Sequence, residues 1–455
     1  MGEQEHRPAP APSETASLSA RDVHRTLEPH VLVDGYDLVL DLSASSGTWL
    51  VDAITENRYL DLFSFFASAP LGINPPCISE DPEFLRELAA AAVNKPANPD
   101  LYSVPYARFV KTFARVLGDP QLPHLFFVDG GALAVENALK VAFDWKARKL
   151  GLDEQAVNRL QVLHLERSFH GRSGYTMSLT NTEPAKTAGF PKFAWPRIPS
   201  PAIQHPAAEH TIANQEAERR ALEAAEAAFR AADGMIACFI AEPIQGEGGD
   251  NHLSAGFLQA MQQLCHEYDA LFVLDEVQSG CGITGTAWAY QQLGLQPDVV
   301  AFGKKTQVCG VMGGGRVDEV ADNVFTVSSR ISSTWGGNLA DMVRATRILE
   351  TIERTQLFDT VVQRGKYLCD GLEALANKHS GVVTNARGRG LMCAIDLPDT
   401  RRRDEVLRRM YQDHQVIALP CGERSLRFRP PLTISESEID QALEALGQSV
   451  AAPAA

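Results

Sequence analysis

One acidic and one basic side chain each follow a short apolar run in the middle of the chain. The run Leu271–Leu274 ends at Asp275, and Lys304 comes two residues after the run Val299–Phe302. Runs of this length are typical of strands buried on both faces, and the interval 287–295 predicts one helix between them. A β–α–β unit makes its two strands parallel neighbours. The sequence therefore predicts that both side chains lie at the carboxyl edge of an open sheet, where such folds bind ligands.

An amine and a carboxylate at that edge are the groups that pyridoxal phosphate needs. The lysine forms the Schiff base, and the aspartate keeps the pyridine nitrogen protonated so that the ring accepts electrons. The structural alternative is that Asp275 caps the next turn and Lys304 is a surface lysine. The same stretch contains a G-x-G-x-x-G pattern at 280–285. Because Asp275–Ser279 separate it from the strand and Thr284–Thr286 is a poor helix start, we expect a loop there and not a dinucleotide site.

Paired glycines follow another apolar run and precede a predicted helix. The run Leu125–Val128 leads to Asp129, Gly130, Gly131 and Ala132. The free N–H groups and positive dipole end of a helix start bind phosphate well. The alternative is a tight turn without a ligand.

Three further stretches could line a site. Phe169 and Arg172 follow the strand-like run Val162–Leu165, so that the ring could stack on a flat ligand and the guanidinium could bind a carboxylate. Alternatively, Phe169 is core and Arg172 pairs with a structural acid. Glu247 lies in a glycine-rich loop after the run Met235–Ile240 and Glu242. The aromatic segment 63–69 either packs at a domain seam or forms the wall of a pocket.

Composition excludes several classes of protein. The 455 residues are 45% hydrophobic and 22% charged, as in ordinary globular proteins, and their formal charge of −15 argues against nucleic acid or an anionic membrane as a partner. No apolar run is long enough to cross a membrane. The eight cysteines are scattered without a C-x-x-C pair. Reduced thiols in a cytoplasmic protein are therefore expected, with no disulfide framework and no metal site.

Alternating strands and helices predict an α/β protein with two domains and a mostly parallel central sheet. The large domain is rich in such alternation, and a smaller α+β domain is expected from both chain ends. The expected divisions are a disordered tail at 1–21, the first part of the small domain at 22–81, the large cofactor-binding domain at 82–338, a helical connection at 339–389 and the rest of the small domain at 390–455.

These motifs, in this order, resemble the class III aminotransferases of fold type I. The resemblance extends from about Asp34 to the final helix. It rests on stretches that these enzymes share: Gly131-Ala132, Phe169-His170-Gly171-Arg172, Glu242-Pro243-Ile244-Gln245-Gly246-Glu247, Asp275-Glu276-Val277-Gln278, Gly303-Lys304, Thr334 and Arg427-Phe428-Arg429-Pro430. Within the family, the stretches 32–35, 94–96, 130–137 and 303–310 are similar to the L-lysine 6-aminotransferases of actinobacterial β-lactam pathways.

The resemblance implies a role for each of these residues. Lys304 would carry pyridoxal 5'-phosphate, and Asp275 would bind its ring nitrogen. The remaining roles would be cofactor binding by Gly131, Ala132, Phe169, Gln278 and Thr334, and substrate binding by Arg172, Glu247, Gln278 and Arg427. Because Thr334 would come from the other subunit, a homodimer with a shared active site is implied.

The implied reaction transfers the ε-amino group of L-lysine to 2-oxoglutarate and starts cephamycin-type antibiotic biosynthesis. Its products would be 2-aminoadipate 6-semialdehyde, which cyclises to a piperideine carboxylate, and L-glutamate. The alternative within the fold is another ω-aminotransferase, acting on ornithine or 4-aminobutyrate. Two departures from the broader family are Lys305 beside Lys304, which leaves two candidate amines, and the bulky Phe66, which affects substrate preference.

Overall fold

The computed structural model describes residues 18–453, and the bounds of its elements are as follows. The strands are β1 Trp49–Val51, β2 Arg58–Asp61, β3 His124–Val128, β4 Gln161–Leu165, β5 Arg197–Ile198, β6 Ile236–Ala241, β7 Ile244–Gln245, β8 Asn251–His252, β9 Leu271–Asp275, β10 Val299–Phe302, β11 Cys309–Gly313, β12 Thr384–Arg389, β13 Met392–Asp396, β14 Val416–Ile417, β15 Leu419–Cys421 and β16 Ser425–Phe428. The helices are α1 Val23–Leu27, α2 Ser64–Ala67, α3 Pro76–Ser79, α4 Pro82–Ala92, α5 Val104–Val116, α6 Gly131–Leu150, α7 Glu154–Val157, α8 Gly174–Leu179, α9 Thr211–Ala231, α10 Ala255–Glu267, α11 Ala289–Gln292, α12 Leu339–Arg354, α13 Leu357–Lys378, α14 Thr400–His414 and α15 Glu436–Ala451. Short 3-10 turns occupy Ala20–Asp22, Pro184–Lys186, Lys304–Thr306 and Gly315–Glu319.

Residues 1–17 of the tail expected at 1–21 lie outside the described range, and Ala20–Asp22 inside it form a 3-10 turn. None of the helices within 18–453 combines the length and the apolar sequence that a bilayer crossing requires.

The central sheet has the order β3-β11-β10-β9-β6-β4-β5. In this sheet β11 is antiparallel to both neighbours, and the other pairs are parallel. Strands β9 and β10 lie side by side with Ala301 opposite Asp275, which confirms the predicted parallel pair. The helix predicted over 287–295 was too long, because Gly294 adopts a left-handed φ of 63° just after α11.

Strand β9 is buried on both faces. Leu271 and Val273 pack with the buried face of α6, whereas Phe272 and Leu274 pack in the core on the other face of the sheet. A strand covered on both faces needs an unbroken apolar run, and its first polar side chain, Asp275, marks where it reaches the sheet edge.

Both ends of the chain contribute to the smaller part of the molecule. Strands β12, β13, β16 and β15 form one sheet, and β1, β2 and β14 form another. In the second sheet Val416 pairs with Leu60, so that the C-terminal segment completes a sheet begun near the N-terminus. Strand β12 begins before Gly390 and belongs to the first of these sheets. The predicted boundaries between domains stay predictions.

The aromatic segment contains a left-handed turn instead of an ordinary loop. Ser64, Phe65, Phe66 and Ala67 have φ values of 39°, 53°, 58° and 63°. This conformation is unfavourable by roughly 1–2 kcal/mol for each non-glycine residue, so that the turn needs contacts with other parts of the chain to stabilise it. Asp61 supplies part of it, because its carboxylate accepts the backbone N–H of Ser64 at 2.7 Å. The Ser64 hydroxyl in turn donates to the carbonyl of Arg429 at 2.6 Å.

Candidate active site

A cavity of about 910 Å³ lies at the carboxyl ends of β9 and β10. Most of the site residues predicted from the sequence line it, namely Gly131, Ala132, Phe169, Arg172, Glu247, Asp275, Gln278 and Lys304. Arg427 lies directly behind this wall, in contact with Glu247. Thr334 does not line the cavity and is exposed. Phe65, Phe66 and Ser68 also line it, which identifies the aromatic segment as a cavity wall.

The two adjacent lysines have different surroundings. Lys304 lines the cavity, and its Nζ lies 5.7 Å from the centroid of the Phe66 ring. Burial, followed by the nearby charge of Arg427, lowers the pKa of Lys304. Lys305 is 2% exposed, and its Nζ donates to the backbone carbonyls of Gln278 at 2.7 Å and Ala67 at 3.3 Å. Only the first of the two amines is therefore presented to a ligand.

Asp275 is held in place by a histidine and by its own backbone. Its Oδ1 accepts the N–H of Val277 at 3.0 Å, and its Oδ2 lies 2.8 Å from Nδ1 of His170. The neighbouring Glu242 accepts the backbone N–H of Phe169 at 3.0 Å, and burial raises the pKa of Glu242 to about 7. Because the Asp275 carboxylate is held on two sides, it presents a constant geometry to the ring nitrogen of a ligand.

The start of α6 is an uncapped helix end at the cavity. Its N-cap, Gly130, has a φ of 103° and no side chain that could accept the first N–H groups. Gly131 and Ala132 border the cavity at this end. Added to the macrodipole of a 20-residue helix, the uncapped N–H groups make a cradle for an anion.

Phe169 and Arg172 lie on the cavity as well. Phe169 is half-buried, so that one part of its ring faces open space instead of the core. Arg172 is exposed and has no ion-pair partner among residues 18–453. Its guanidinium is therefore available to a carboxylate ligand, which disfavours the alternative of a structural ion pair.

Taken together, these groups fit pyridoxal phosphate. An uncapped helix end suits its phosphate, an aromatic side chain suits its flat ring, and a fixed carboxylate suits its ring nitrogen. Lys304, at the carboxyl end of β10, brings an amine into the same cavity.

Glu247 forms an ion pair with a buried arginine at the cavity wall. Its Oε2 lies 2.6 Å from Nη2 of Arg427, whose side chain is 2% exposed. Its Oε1 lies 2.5 Å from Nζ of Lys186, so that the carboxylate bridges two cations. Burial alone would raise the pKa of Glu247, but the charge of Arg427 and the hydrogen bond from Lys186 lower it to about 2.

Gln278 is oriented by a second buried arginine. Its Oε1 accepts from Nη2 of Arg429 at 2.7 Å and from Nε of the same group at 3.1 Å. Arg429 is fixed by a fully buried ion pair with Asp250. With its oxygen occupied, Gln278 keeps its NH₂ group to donate to a ligand.

Four residues of this site were not given a role from the sequence. His170 and Arg429 stand inside motifs that drew attention to their neighbours, and Glu242 was noted only as an acid at a strand end. Lys186 had no sequence signal, because it reaches Glu247 from a short turn in a polar loop.

The G-x-G-x-x-G pattern has a packing role. Gly282 and Gly285 have φ values of 90° and 95°. A Cβ atom on Gly282 would lie 2.4 Å from the Phe358 ring, and one on Gly285 would lie 2.4 Å from Val362. These glycines let the loop pack against α13.

Comparisons with known proteins agree with this geometry. The family model for aminotransferase class III matches residues 33–450. The chain is 82% identical to L-lysine-epsilon aminotransferase of Streptomyces clavuligerus, covering 100% of this chain and 99% of that protein. It is 80% identical to the protein of the same name from Amycolatopsis lactamdurans, covering 97% and 98%. Among solved structures, lysine aminotransferase from M. tuberculosis is 60% identical and superimposes with a TM-score of 0.92 over 95% of this chain and 99% of that one.

The motifs of the cavity, the architecture around it and the family match over nearly the whole sequence lead to one conclusion: this chain belongs to the class III aminotransferases, which are pyridoxal-phosphate enzymes of fold type I.

Proposed function

We propose that this enzyme transfers the ε-amino group of L-lysine to 2-oxoglutarate. The products are L-glutamate and 2-aminoadipate 6-semialdehyde, which cyclises to piperideine-6-carboxylate. The two relatives above, both named L-lysine-epsilon aminotransferase, support this substrate, and with it a place at the start of cephamycin-type antibiotic biosynthesis. The eight cysteines, all without a disulfide in the described part of the chain, support a reducing, cytoplasmic location.

The observation that carries the proposal is the different state of two arginines. Arg172 is exposed and unpaired among the described residues, whereas Arg427 is buried and neutralised by Glu247. Lysine presents its ε-amine to the reaction centre, so that its only carboxylate lies far away, within the range of a distal arginine. A second arginine beside its methylene chain would be an uncompensated charge, which costs several kcal/mol, unless Glu247 pairs with it.

The second substrate needs the opposite arrangement. 2-Oxoglutarate presents its keto carbon, so that one carboxylate lies near the reaction centre and the other lies at Arg172. Glu247 must then leave Arg427, whose guanidinium binds the proximal carboxylate.

When bound, pyridoxal phosphate supplies an electron-poor ring that accepts the electron pair of a broken C–H bond. Asp275, fixed by His170, would hold the ring nitrogen in its protonated form, and Gln278, whose oxygen is taken by Arg429, would hold the cofactor through its NH₂ group. Lys304 would hold the cofactor, and its amine is the group in the cavity that would move the proton from the ε-carbon of lysine. Its lowered pKa makes the neutral amine more available as a base.

A homodimer is part of the proposal. Leu101, Tyr102 and Val104 are between 71% and 82% exposed and lie within four consecutive residues. This segment adjoins the Thr334 loop, because Asn98 donates to the carbonyl of Trp335 at 2.9 Å. An exposed apolar patch beside a residue that does not reach its own cavity supports a partner subunit whose site Thr334 completes.

The test is a screen of amine donors against 2-oxoglutarate with the carbonyl products identified by mass. L-Lysine is expected to react at its ε-amine and to outcompete ornithine and 4-aminobutyrate. Preference for either of these would identify the enzyme as another kind of ω-aminotransferase. Transfer of the α-amino group of lysine would refute the proposed roles of the two arginines.

A further inference from the structure

Lys186 is a third charge on the Glu247–Arg427 pair. It ends the 3-10 turn Pro184–Lys186 and borders the cavity, and its side chain is 17% exposed. Its Nζ holds Oε1 of Glu247 at 2.5 Å while Arg427 holds Oε2. Its other carboxylate neighbour is Glu183, at 3.2 Å, whose side chain is 52% exposed.

The backbone on both sides of Glu247 is closely packed against its surroundings. A Cβ on Gly246 would lie 2.2 Å from Oε1 of Gln278, and one on Gly248 would lie 1.9 Å from the carbonyl of Arg167. The carbonyl of Glu247 itself accepts the N–H of Gly422 at 2.9 Å. Exchange of partners at Glu247 is therefore a rotation of its side chain.

That rotation has a defined end point. When Glu247 leaves Arg427, its carboxylate is still mostly buried and lies beside an incoming dicarboxylate. Without a cation it would be an unpaired buried charge next to a like charge. Lys186 already holds one of its oxygens, and an ammonium group has three N–H donors that can bind both.

We propose that Lys186 is a positioning residue that retains Glu247 while Arg427 binds the dicarboxylate substrate. The inference rests on the proposed function, because it presumes that Arg427 alternates between Glu247 and a substrate carboxylate. It predicts an effect on one substrate only. Without Lys186, Glu247 is bound to Arg427 alone. The cavity wall beside lysine is then still neutral, but the guanidinium of Arg427 is not free to bind the dicarboxylate.

The experiment uses the holoenzyme and two readouts. Glutarate, which has both carboxylates of 2-oxoglutarate but no keto group, is titrated by calorimetry, and the two half-reactions are followed separately by stopped-flow. For Lys186→Met we expect roughly ten-fold or more weaker glutarate binding and a similar loss in the 2-oxoglutarate half-reaction, with the lysine half-reaction within about two-fold. Lys186→Arg keeps the charge and is expected to restore most of the binding.

Two further variants make the outcome decisive. In a Glu247→Ala background the Lys186→Met change is expected to have no effect on glutarate, since no carboxylate remains to be retained. Glu183→Gln is the control, because it removes the other partner of Lys186 and is expected to leave both half-reactions unchanged. Equal losses in both half-reactions, or a Lys186 effect that persists without Glu247, would show direct substrate contact or a general structural role and overturn the proposal. Failure of wild-type enzyme to convert L-lysine would refute the proposed function alone, since the glutarate titrations do not depend on the amine donor.

Discussion

At the scale of single residues, chemistry depends on which of two adjacent amines faces the cavity. Lys304 follows a buried strand and reaches open space, whereas Lys305 donates to two backbone carbonyls. The difference arises because Lys304 adopts a left-handed φ of 56° at the start of a 3-10 turn, which sends consecutive side chains in different directions.

The first prediction concerns this pair. Lys304→Ala removes the only one of the two amines that lines the cavity, and we expect loss of turnover and of the visible absorbance of a borohydride-reducible cofactor bond. Lys305→Met is the matched control and is expected to keep that absorbance. A borohydride-reducible bond in Lys304→Ala would show that Lys305 reaches the cofactor.

Some residue roles were predictable because they follow strand ends, and others were not. Asp275, Lys304 and Glu242 each follow an apolar run, so that the pattern of hydrophobic residues places them at one sheet edge. Arg429 and Asp250 are 179 positions apart and Lys186 and Glu247 are 61 apart. Such pairs are fixed by tertiary packing, and no local pattern in the sequence encodes them.

At the scale of elements, the left-handed turn α2 is clamped from both sides. Ser64 bonds to the carbonyl of Arg429, and Lys305 bonds to the carbonyl of Ala67. Backbone propensities do not predict this turn, because a left-handed conformation is unfavourable for phenylalanine by itself.

The buried amine of Lys305 predicts a dependence of stability on pH. Burial lowers the pKa of Lys305 from 10.5 to about 7, so that between these values the unfolded chain binds more protons than the folded one. The contribution of Lys305 to the free energy of unfolding therefore rises as pH increases from about 7 to 10.5. Urea unfolding of wild type and Lys305→Met at pH 7.5 and 9.5 measures it. The difference, wild type minus variant, should grow with pH, and a constant difference would contradict the burial argument.

The glycine-rich loop gives a second prediction at this scale. Gly248→Ala would bring a Cβ to 1.9 Å from the backbone carbonyl of Arg167, which cannot rotate away. We expect displaced Glu247, severe loss of lysine turnover and a lower Tm. Gly256→Ala is the control: its Cβ would meet nothing nearer than 3.9 Å inside α10, and it should raise stability by roughly 0.5–1 kcal/mol. The measurements are the Tm and the turnover of both variants. An active Gly248→Ala enzyme would show that the glycine-rich loop is not rigid.

At the scale of the whole molecule, the class of fold was predictable from the alternation of strands and helices, and the central sheet confirms it. Residues 36–42 form no strand of the described structure, since Leu40 makes only an isolated bridge to Asp52. Asp41 explains it, because its carboxylate accepts the N–H groups of Ser43 and Ala44 and turns the chain.

A shared active site predicts complementation between two inactive variants. Lys304→Ala lacks the reactive amine, and Thr334→Asp places a negative charge where the partner's phosphate would bind. In a mixed dimer, one site has both defects and the other has neither. Refolding the two variants together should therefore restore turnover, at up to about half of wild type per mixed dimer. Variants that stay inactive after verified exchange of subunits would place Thr334 and Lys304 in the same subunit's site.

The pairing of β2 with β14 joins residues 60 and 416. The wall of the cavity depends on the same meeting of the chain ends, because Ser64 binds the carbonyl of Arg429 and Asp250 holds its guanidinium. During synthesis β2 therefore lacks its partner strand β14 until almost the entire polypeptide has been made. Contacts of such long sequence separation form slowly. A nascent chain that has completed its central sheet consequently still lacks Arg429, and a truncation that removes only the last forty residues takes away this support of the cavity wall.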